Sequence, residues 1–469
     1  MIDRVAEWVA SAAGGELVAG APAMPGPRRA VVDSRDVRSG DLFVGLPGAH
    51  ADGGAFAAQA LAAGAWGVLV GPRHADPRLA SGAGVTTAAA TAATKTAATT
   101  TAATTTVDAS PGQAVIRADD PLGALASLAT AWRRELACPA VGITGSTGKT
   151  STKAILAAML APARRTHASR DNLNTEVGLP LALLEADRGT EVLVLEMAMR
   201  GAGQIAELVA IAEPDVGVIV NVGPAHLELL GTIEAVALAK AELVRDLPAG
   251  AACVVPAREP LLAPHLRDDI ETITFGPDGD VRLRSFADGV AQIDARGELV
   301  ELELSYDEQH NLLNTLAAVG AALVLGVKPA GRVAPVFAAL RGELVELPGG
   351  VTVVNDCYNA NPMSMRAAID HLAASPAGRR ITVLGAMAEL GSEAGGFHRQ
   401  IGEHAAQRGV DVMITVGERA IGYSQGFAGE TYSVASPEEA ATLLEELALA
   451  GDRVLIKGSR SAGLERVLS

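Results

Sequence analysis

The chain has 469 residues, 49% hydrophobic, 20% charged and 3% aromatic. That length suits about three domains, and the composition excludes wholesale disorder and fibrous architectures. Lysine and arginine total 38 against 54 acidic residues, a net charge of −16 that repels nucleic-acid backbones and anionic lipid.

Three scattered cysteines, Cys138, Cys253 and Cys357, supply neither a disulfide framework nor a zinc site and fit a reducing cytoplasm. The charges of Asp3, Arg4, Glu7 and Glu16 leave no signal-peptide core, and the longest uncharged stretch, around 312–327, is short of a membrane span. The expectation is a soluble, cytoplasmic, monomeric protein with no nucleic acid and no membrane insertion.

Along the chain, β-branched runs alternate with longer Ala/Leu segments of helical spacing, the pattern of an α/β protein with parallel sheets. Buried strands are predicted at 66–70, 140–144, 192–196, 216–221, 351–355, 381–385, 412–416 and 453–457. They divide into three predicted domains, 1–136, 137–338 and 339–469. Residues 86–106 are almost wholly Ala and Thr, too little apolar area to offset chain ordering, and are read as an insertion in the first domain.

The strand at 140–144 runs into Gly145, Ser146, Thr147, Gly148, Lys149, Thr150 and Ser151, then into a helical pattern. Strand, glycine loop and helix is the context in which backbone N–H groups and the positive end of a helix cradle phosphates. Lys149 would neutralise β- and γ-phosphate charge and Thr150 would ligate magnesium. The strict GxxxxGK[ST] spacing fails by one residue, because the glycine is Gly142 and not residue 143.

Glu196 ends an apolar strand, where an acid is costly unless it meets a cation, so it is the expected magnesium ligand. With Thr232 as the cap of the next helix, Ile233, Val236, Ala237, Lys240 and Val244 share one apolar stripe. A lysine buried there favours the neutral amine that reacts with carbon dioxide to form a carbamate; a snorkelling side chain is the plainer alternative. His226, on a loop after a strand, is a candidate for metal or phosphate contact.

These residues resemble the Mur ligases, ATP-dependent enzymes that add amino acids or a dipeptide to the nucleotide-linked precursor of bacterial peptidoglycan. TGSTGKTST, Glu196, NVGPAHLE, the AKAE around Lys240 and HNLLNTLAA at 310–318 stand in the family's order. Within it, DCYNANPMSM at 356–365, MAELG at 387–391, KGSRSAGLERV at 457–467 and VDSRDVRSGDLFVGLPG at 32–48 are most similar to the member that joins D-alanyl-D-alanine to UDP-N-acetylmuramoyl-tripeptide. Ala386 stands where the family often has Asp, and the loop at 52–56 lacks a frequent His. Another Mur-type amino-acid ligase, or a Mur-like nucleotide-binding protein without ligase activity, is the alternative.

The resemblance implies a precursor-binding first domain, a central P-loop ATPase-like domain and a Rossmann-like third domain for the dipeptide. It implies an acyl-phosphate mechanism with ATP and two magnesium ions, held by Thr150, Glu196, His226 and carbamylated Lys240; Lys149, Glu196, His226 and Lys240 would be the catalytic set. His310, Asn311 and Asn314 are expected at adenine, or else as a polar helix cap. Arg341 is expected at the ATP phosphates, and Asp356 completes the ATP site. Tyr358, Asn359 and Asn361 are expected on ribose, phosphate or dipeptide, with turn formation the plainer reading of 359–362. Lys457 and Arg460 are expected to hold a substrate carboxylate, or to be a solvated charge pair. Ser34 and Arg35 are assigned to the uridine end of the precursor, and Asn174 and Thr175 to the substrate channel or a loop cap.

Overall fold

The computed structural model describes residues 1, 3–49, 51–75 and 112–468, so the Ala/Thr insertion expected at 86–106 lies outside the described residues. Among them no helix is long and apolar enough to cross a membrane. The chain packs as two compact units: 1–138 with 173–190 and 210–213, and 139–172 with 191–209 and 214–469. Residues 173–190 therefore pack with the N-terminal segment, although the sequence partition placed them in the central domain.

The first unit carries a five-stranded sheet in the order Glu16–Ala19, Ala114–Arg117, Gly67–Val70, Leu42–Val44, Ala30–Val31. Its long helix Pro121–Leu136 starts where the Asp120 carboxylate accepts from the Leu122 N–H and Pro121 pre-sets the first turn. Leu125, Leu128, Ala129, Trp132 and Leu136 recur at helical spacing on its buried face. Trp132 donates its indole N–H to the Ala186 carbonyl at 2.9 Å.

The second unit carries two sheets. The larger has ten strands, in the order Gly331–Val333, Glu298–Leu304, Val290–Ala295, Val281–Ala287, Glu271–Phe275, Ala252–Pro256, Val216–Ile219, Ala140–Thr144, Val192–Glu196, Thr166–Ala168. From Thr166–Ala168 to Val281–Ala287 neighbours run parallel. Strand pairs 281–287, 290–295 and 298–304 then form an antiparallel meander that the sequence reading did not predict. Its two turns put consecutive residues at positive φ, Asp288 and Gly289, then Arg296 and Gly297. This is the backbone that matches the twist of a tight hairpin, and the two Xaa-Gly pairs are the signal that was available.

Helix Gln309–Val324 is buried over most of its circumference, through Leu316, Ala317, Val319 and Ala321 among others. Its small residues permit that: a Cβ at Gly320 would stand 2.9 Å from Val254 Cγ1. The remaining sheet has six strands, Glu343–Leu347, Val351–Asp356, Arg453–Lys457, Arg380–Gly385, Val412–Val416, Glu430–Val434, with only the first antiparallel to its neighbour. All eight predicted strands are present to within three residues at either end. In both sheets the chemistry-bearing residues follow the carboxyl ends of parallel strands, where doubly wound sheets leave their crevice.

Candidate active site

The loop after strand Ala140–Thr144 turns into helix Lys149–Leu160 at Gly148, whose φ is +78°. A side chain there would be strained, and its Cβ would meet Asn314 Oδ1 at 2.7 Å. Asn221 clamps the loop: its Oδ1 accepts from the N–H groups of Ser146 and Thr147 at 3.1 and 3.0 Å, and its Nδ2 donates to the Thr147 carbonyl at 3.1 Å. Ser146 Oγ exchanges hydrogen bonds with both backbone groups of Gly223. Two N–H groups expected to cradle phosphate thus have partners within the protein, and Asn221, which sequence reading missed as a functional residue, is what holds them. Ser151 lies partly exposed on the first turn of the helix.

Lys149 Nζ donates to the Gly145 carbonyl at 2.8 Å. Burial lowers its affinity for the proton; the Glu196 charge works the other way, and Arg341 reinforces the lowering. Thr150 Oγ1 donates to Glu196 Oε2 at 2.8 Å, so the two expected magnesium ligands are brought together. Glu196 also has a cation that the sequence reading missed: Lys153, one helical turn beyond Lys149, stands 3.5 Å from Oε2 and donates to the Asp171 carbonyl at 3.1 Å. The signal was the i, i+4 spacing that puts both lysines on one helix face.

Helix Ile233–Arg245 is capped by Thr232, whose side chain accepts from the Ala235 N–H. Lys240 is 1% exposed, and among the described residues nothing pairs with its Nζ. That burial excludes snorkelling, and with the Lys149 charge it holds the Lys240 pKa well below the ordinary lysine value. His226 occupies the left-handed region at φ +57°, and its Nδ1 meets Glu389 Oε2 at 2.5 Å. Burial lowers its pKa while Glu389 opposes that shift, and the charges of Lys149 and Lys240 reach the ring. The four expected catalytic groups therefore belong to one electrostatic cluster.

The helix 309–324 brings Asn314 against this loop. Asn314 Nδ2 donates to Asn311 Oδ1 at 3.1 Å, and Asn311 Nδ2 donates to Glu308 Oε2 at 3.2 Å. Both are buried and Asn314 lies beside the Gly148 turn, whereas His310 is exposed. Asn314 thus stands where a side chain at residue 148 would fall.

From the third sheet, Asn361 caps helix Pro362–Ala374 in a reciprocal box with Ser364 and donates from Nδ2 to the Ser146 carbonyl at 3.1 Å. The plain turn reading thus holds for Asn361, which also reaches the phosphate loop. Asn359 Oδ1 accepts from the N–H of Ala360. Arg341 lies over the Tyr358 ring, 4.1 Å from its centroid. Lys457 is 2% exposed; its ammonium lies 2.6 Å from Asp356 Oδ2 and donates to the Asn359 carbonyl at 3.0 Å. The carboxylate it holds is the internal one of Asp356, and its burial excludes the solvated-pair reading for Lys457. Arg460 is a solvated partner of Glu465 at 3.6 Å.

Two expected substrate regions belong to the first unit. Arg35 pairs with Asp33 and is 83% exposed at its side chain, with Ser34 partly exposed beside it. Thr175 Oγ1 accepts from the Gly178 N–H at 3.4 Å, the loop-cap reading, and Asn174 precedes it.

A glycine loop on a strand, a lysine at the helix start and a hydroxyl–carboxylate pair form a nucleoside-triphosphate site. Two family models match this chain, the Mur ligase middle domain over 143–322 and the Mur ligase, glutamate ligase domain over 340–460. The chain belongs to the Mur ligase family. Similar Mur ligases include the UDP-N-acetylmuramoyl-tripeptide--D-alanyl-D-alanine ligases of Mycobacterium tuberculosis, 35% identical over 100% of this chain and 97% of that one, and of Bacillus subtilis, 31% identical over 100% and 98%. Among solved structures, the MurF ligase from Thermotoga maritima in complex with ADP is 31% identical, with TM-score 0.76 over 94% of this chain and 96% of that one. MurF from Acinetobacter baumannii is 25% identical, with TM-score 0.81 over 99% and 98%. The Mur ligase motifs read from the sequence fall inside the matched segments except for the stretch at 32–48 and Lys457 onward, where the second match ends at 460.

Proposed function

We propose that this Mur ligase joins D-alanyl-D-alanine to UDP-N-acetylmuramoyl-tripeptide with conversion of ATP to ADP and phosphate. The observation that carries the reading is the cluster of Lys149, Thr150–Glu196 and the buried Lys240, in a chain similar over its whole length to ligases of that name. In the reaction a precursor carboxylate oxygen attacks the γ-phosphorus and ADP leaves. The dipeptide amine then attacks the acyl carbon, loses a proton, and phosphate departs.

Two anions must meet for the first step, and the chain's own contribution is to offset their repulsion. Lys149 at the helix start, with Arg341 near enough for the two charges to interact, places positive charge at the phosphates. Arg341 is oriented by stacking on Tyr358, and Asp356 is held by Lys457. Asn221 and Asn361 keep the loop shaped for the nucleotide.

The donor set fits magnesium. Thr150 and Glu196 offer hard oxygen atoms beside a phosphate site, and this cation commonly takes one or two carboxylates together with substrate phosphates. Magnesium bound there would screen phosphate charge. Lys240 fits a second ion only as its carbamate, with His226 beside it, because a protonated lysine repels a cation. Residues 1–136 are assigned to the UDP-precursor, with Ser34 and Arg35 at its uridine end; 137–338 to ATP, with His310, Asn311 and Asn314 toward the adenine; and 339–469 to the dipeptide, with Asn359, Lys457 and Arg460 toward it. Asn174 and Thr175 are assigned to the substrate channel. A cytoplasmic monomer is part of the same reading.

The test is the purified protein with ATP, magnesium, D-alanyl-D-alanine and tripeptide precursors carrying diaminopimelate or lysine, following phosphate release and product mass. Phosphate release should require a precursor and sustained turnover the dipeptide. Rapid hydrolysis of ATP without precursor would overturn the reading.

A further inference from the structure

We propose that Glu389 is a positioning residue that holds His226 in the tautomer with hydrogen on Nδ1, leaving the Nε2 lone pair free for a metal ion. This rests on the proposed role of His226 at the second magnesium.

The geometry is specific. Glu389 Oε2 lies 2.5 Å from His226 Nδ1, and the other carboxylate oxygen lies 3.6 Å from Arg200 Nε. The Glu389 carbonyl accepts from the Glu228 N–H at 3.1 Å, two residues beyond the histidine. An ionised carboxylate has only acceptors, so a neutral imidazole beside it must donate from Nδ1 and keep Nε2 bare. A carboxylate on the far ring nitrogen is the common support of a metal-binding histidine, fixing its orientation and raising its basicity.

Both residues accept backbone strain to meet. His226 has φ +57° and Glu389 φ +61°, a conformation that non-glycine residues adopt rarely. The loop presenting Glu389 is pinned from behind: the Met387 N–H donates to His398 Nε2 at 2.9 Å, and the Ala388 N–H to Ser459 Oγ at 2.8 Å. Ser459 returns its own N–H to the Ala386 carbonyl at 3.1 Å. A buried imidazole and the hydroxyl and backbone N–H of buried Ser459 thus fix three consecutive residues ahead of the carboxylate, which is more support than a surface ion pair receives. Glu389 comes from the third sheet and His226 from the loop after the central strand 216–219, so the contact joins the two sheets of the second unit at the metal side of the site.

The test uses full-length Glu389→Ala, Glu389→Gln and His226→Ala. One readout is the nitrogen-15 spectrum of histidine-labelled protein without metal, with the His226 signals assigned by their absence from His226→Ala. The other is manganese binding in the presence of ADP, by titration. The parent should give the Nδ1–H pattern. Glu389→Ala should lose it and bind manganese about 10-fold or more weakly, the usual cost of removing such a support, while Glu389→Gln, whose amide oxygen still accepts, should recover both. An Nε2–H pattern in the parent, or manganese affinity within twofold of the parent in Glu389→Ala, overturns the proposal. Unchanged manganese affinity in His226→Ala would instead remove the metal role of His226 and with it the metal half of the proposal, leaving the spectrum to decide the tautomer half.

Discussion

Lys153 Nζ stands 3.5 Å from Glu196 Oε2, and their side chains are 7% and 2% exposed. A charge pair this deep is costly to form and more costly to break on one side, since the remaining ion is then buried without a counter-charge. Lys153→Met is expected to destabilise the protein by about 3–5 kcal/mol. Lys153→Met with Glu196→Leu should recover much of that stability, although it removes a proposed metal ligand. Thermal melts of the two variants check this, and equal melting temperatures would show that the pair is not coupled.

Lys149→Ala removes a phosphate-neutralising group from the start of a helix that Thr152 and its neighbours keep buried. The fold should survive, and kcat should fall at least 100-fold, on the order of 3 kcal/mol in the barrier. Turnover within twofold of the parent would remove the phosphate-loop assignment.

For Lys240, Ala preserves helix propensity while removing the buried amine. Lys240→Ala is expected to lose most activity and to regain part of it with added formate or acetate, more than with chloride at equal ionic strength. The motive is that an oxygen anion would replace the carbamate. Full activity of the variant without additive would defeat the carbamate reading.

His398 is buried against Tyr423, with its Nε2 accepting a backbone N–H, and burial pushes its pKa down to about 4. Between that value and the unfolded histidine pKa near 6.5, the unfolded chain binds the extra proton. Its contribution is therefore complete above about pH 6.5 and is lost as the pH falls toward 4, up to about 3 kcal/mol. Melting temperature measured from pH 7 to 4 should drop less steeply in His398→Gln than in the parent; parallel curves would exclude His398 as the titrating group.

Two glycines of helix Ala394–Gln407 separate packing from propensity. A Cβ at Gly402 would lie 2.0 Å from the Tyr423 carbonyl oxygen, whereas one at Gly396 meets nothing within 4 Å. Gly402→Ala should destabilise by about 3 kcal/mol or more, and Gly396→Ala should stabilise by about 0.5–1 kcal/mol. Denaturant unfolding of both variants checks the pair, and a stable Gly402→Ala would show that the adjacent segment Ile421–Gly426 gives way.

The sequence by itself determined the α/β class, the eight central strands, the phosphate loop, the cap at Thr232 and the apolar stripe that carries Lys240. Each follows from local periodicity: apolar runs of strand length, a 3.6-residue stripe, a glycine where φ is positive. Only the tertiary structure decided which polar group meets which. Lys153 pairs with Glu196 from 43 residues away in number, Asn361 reaches Ser146 across 215, and Lys457 closes on Asp356 across 101. The meander at 281–304 was signalled locally by its two Xaa-Gly pairs, whereas the supporting pair His398 and Ser459 was missed for a related reason. An acceptor beside a backbone N–H leaves no trace in periodicity, and in a low-dielectric interior each buried charge or donor must find its partner wherever the chain brings one.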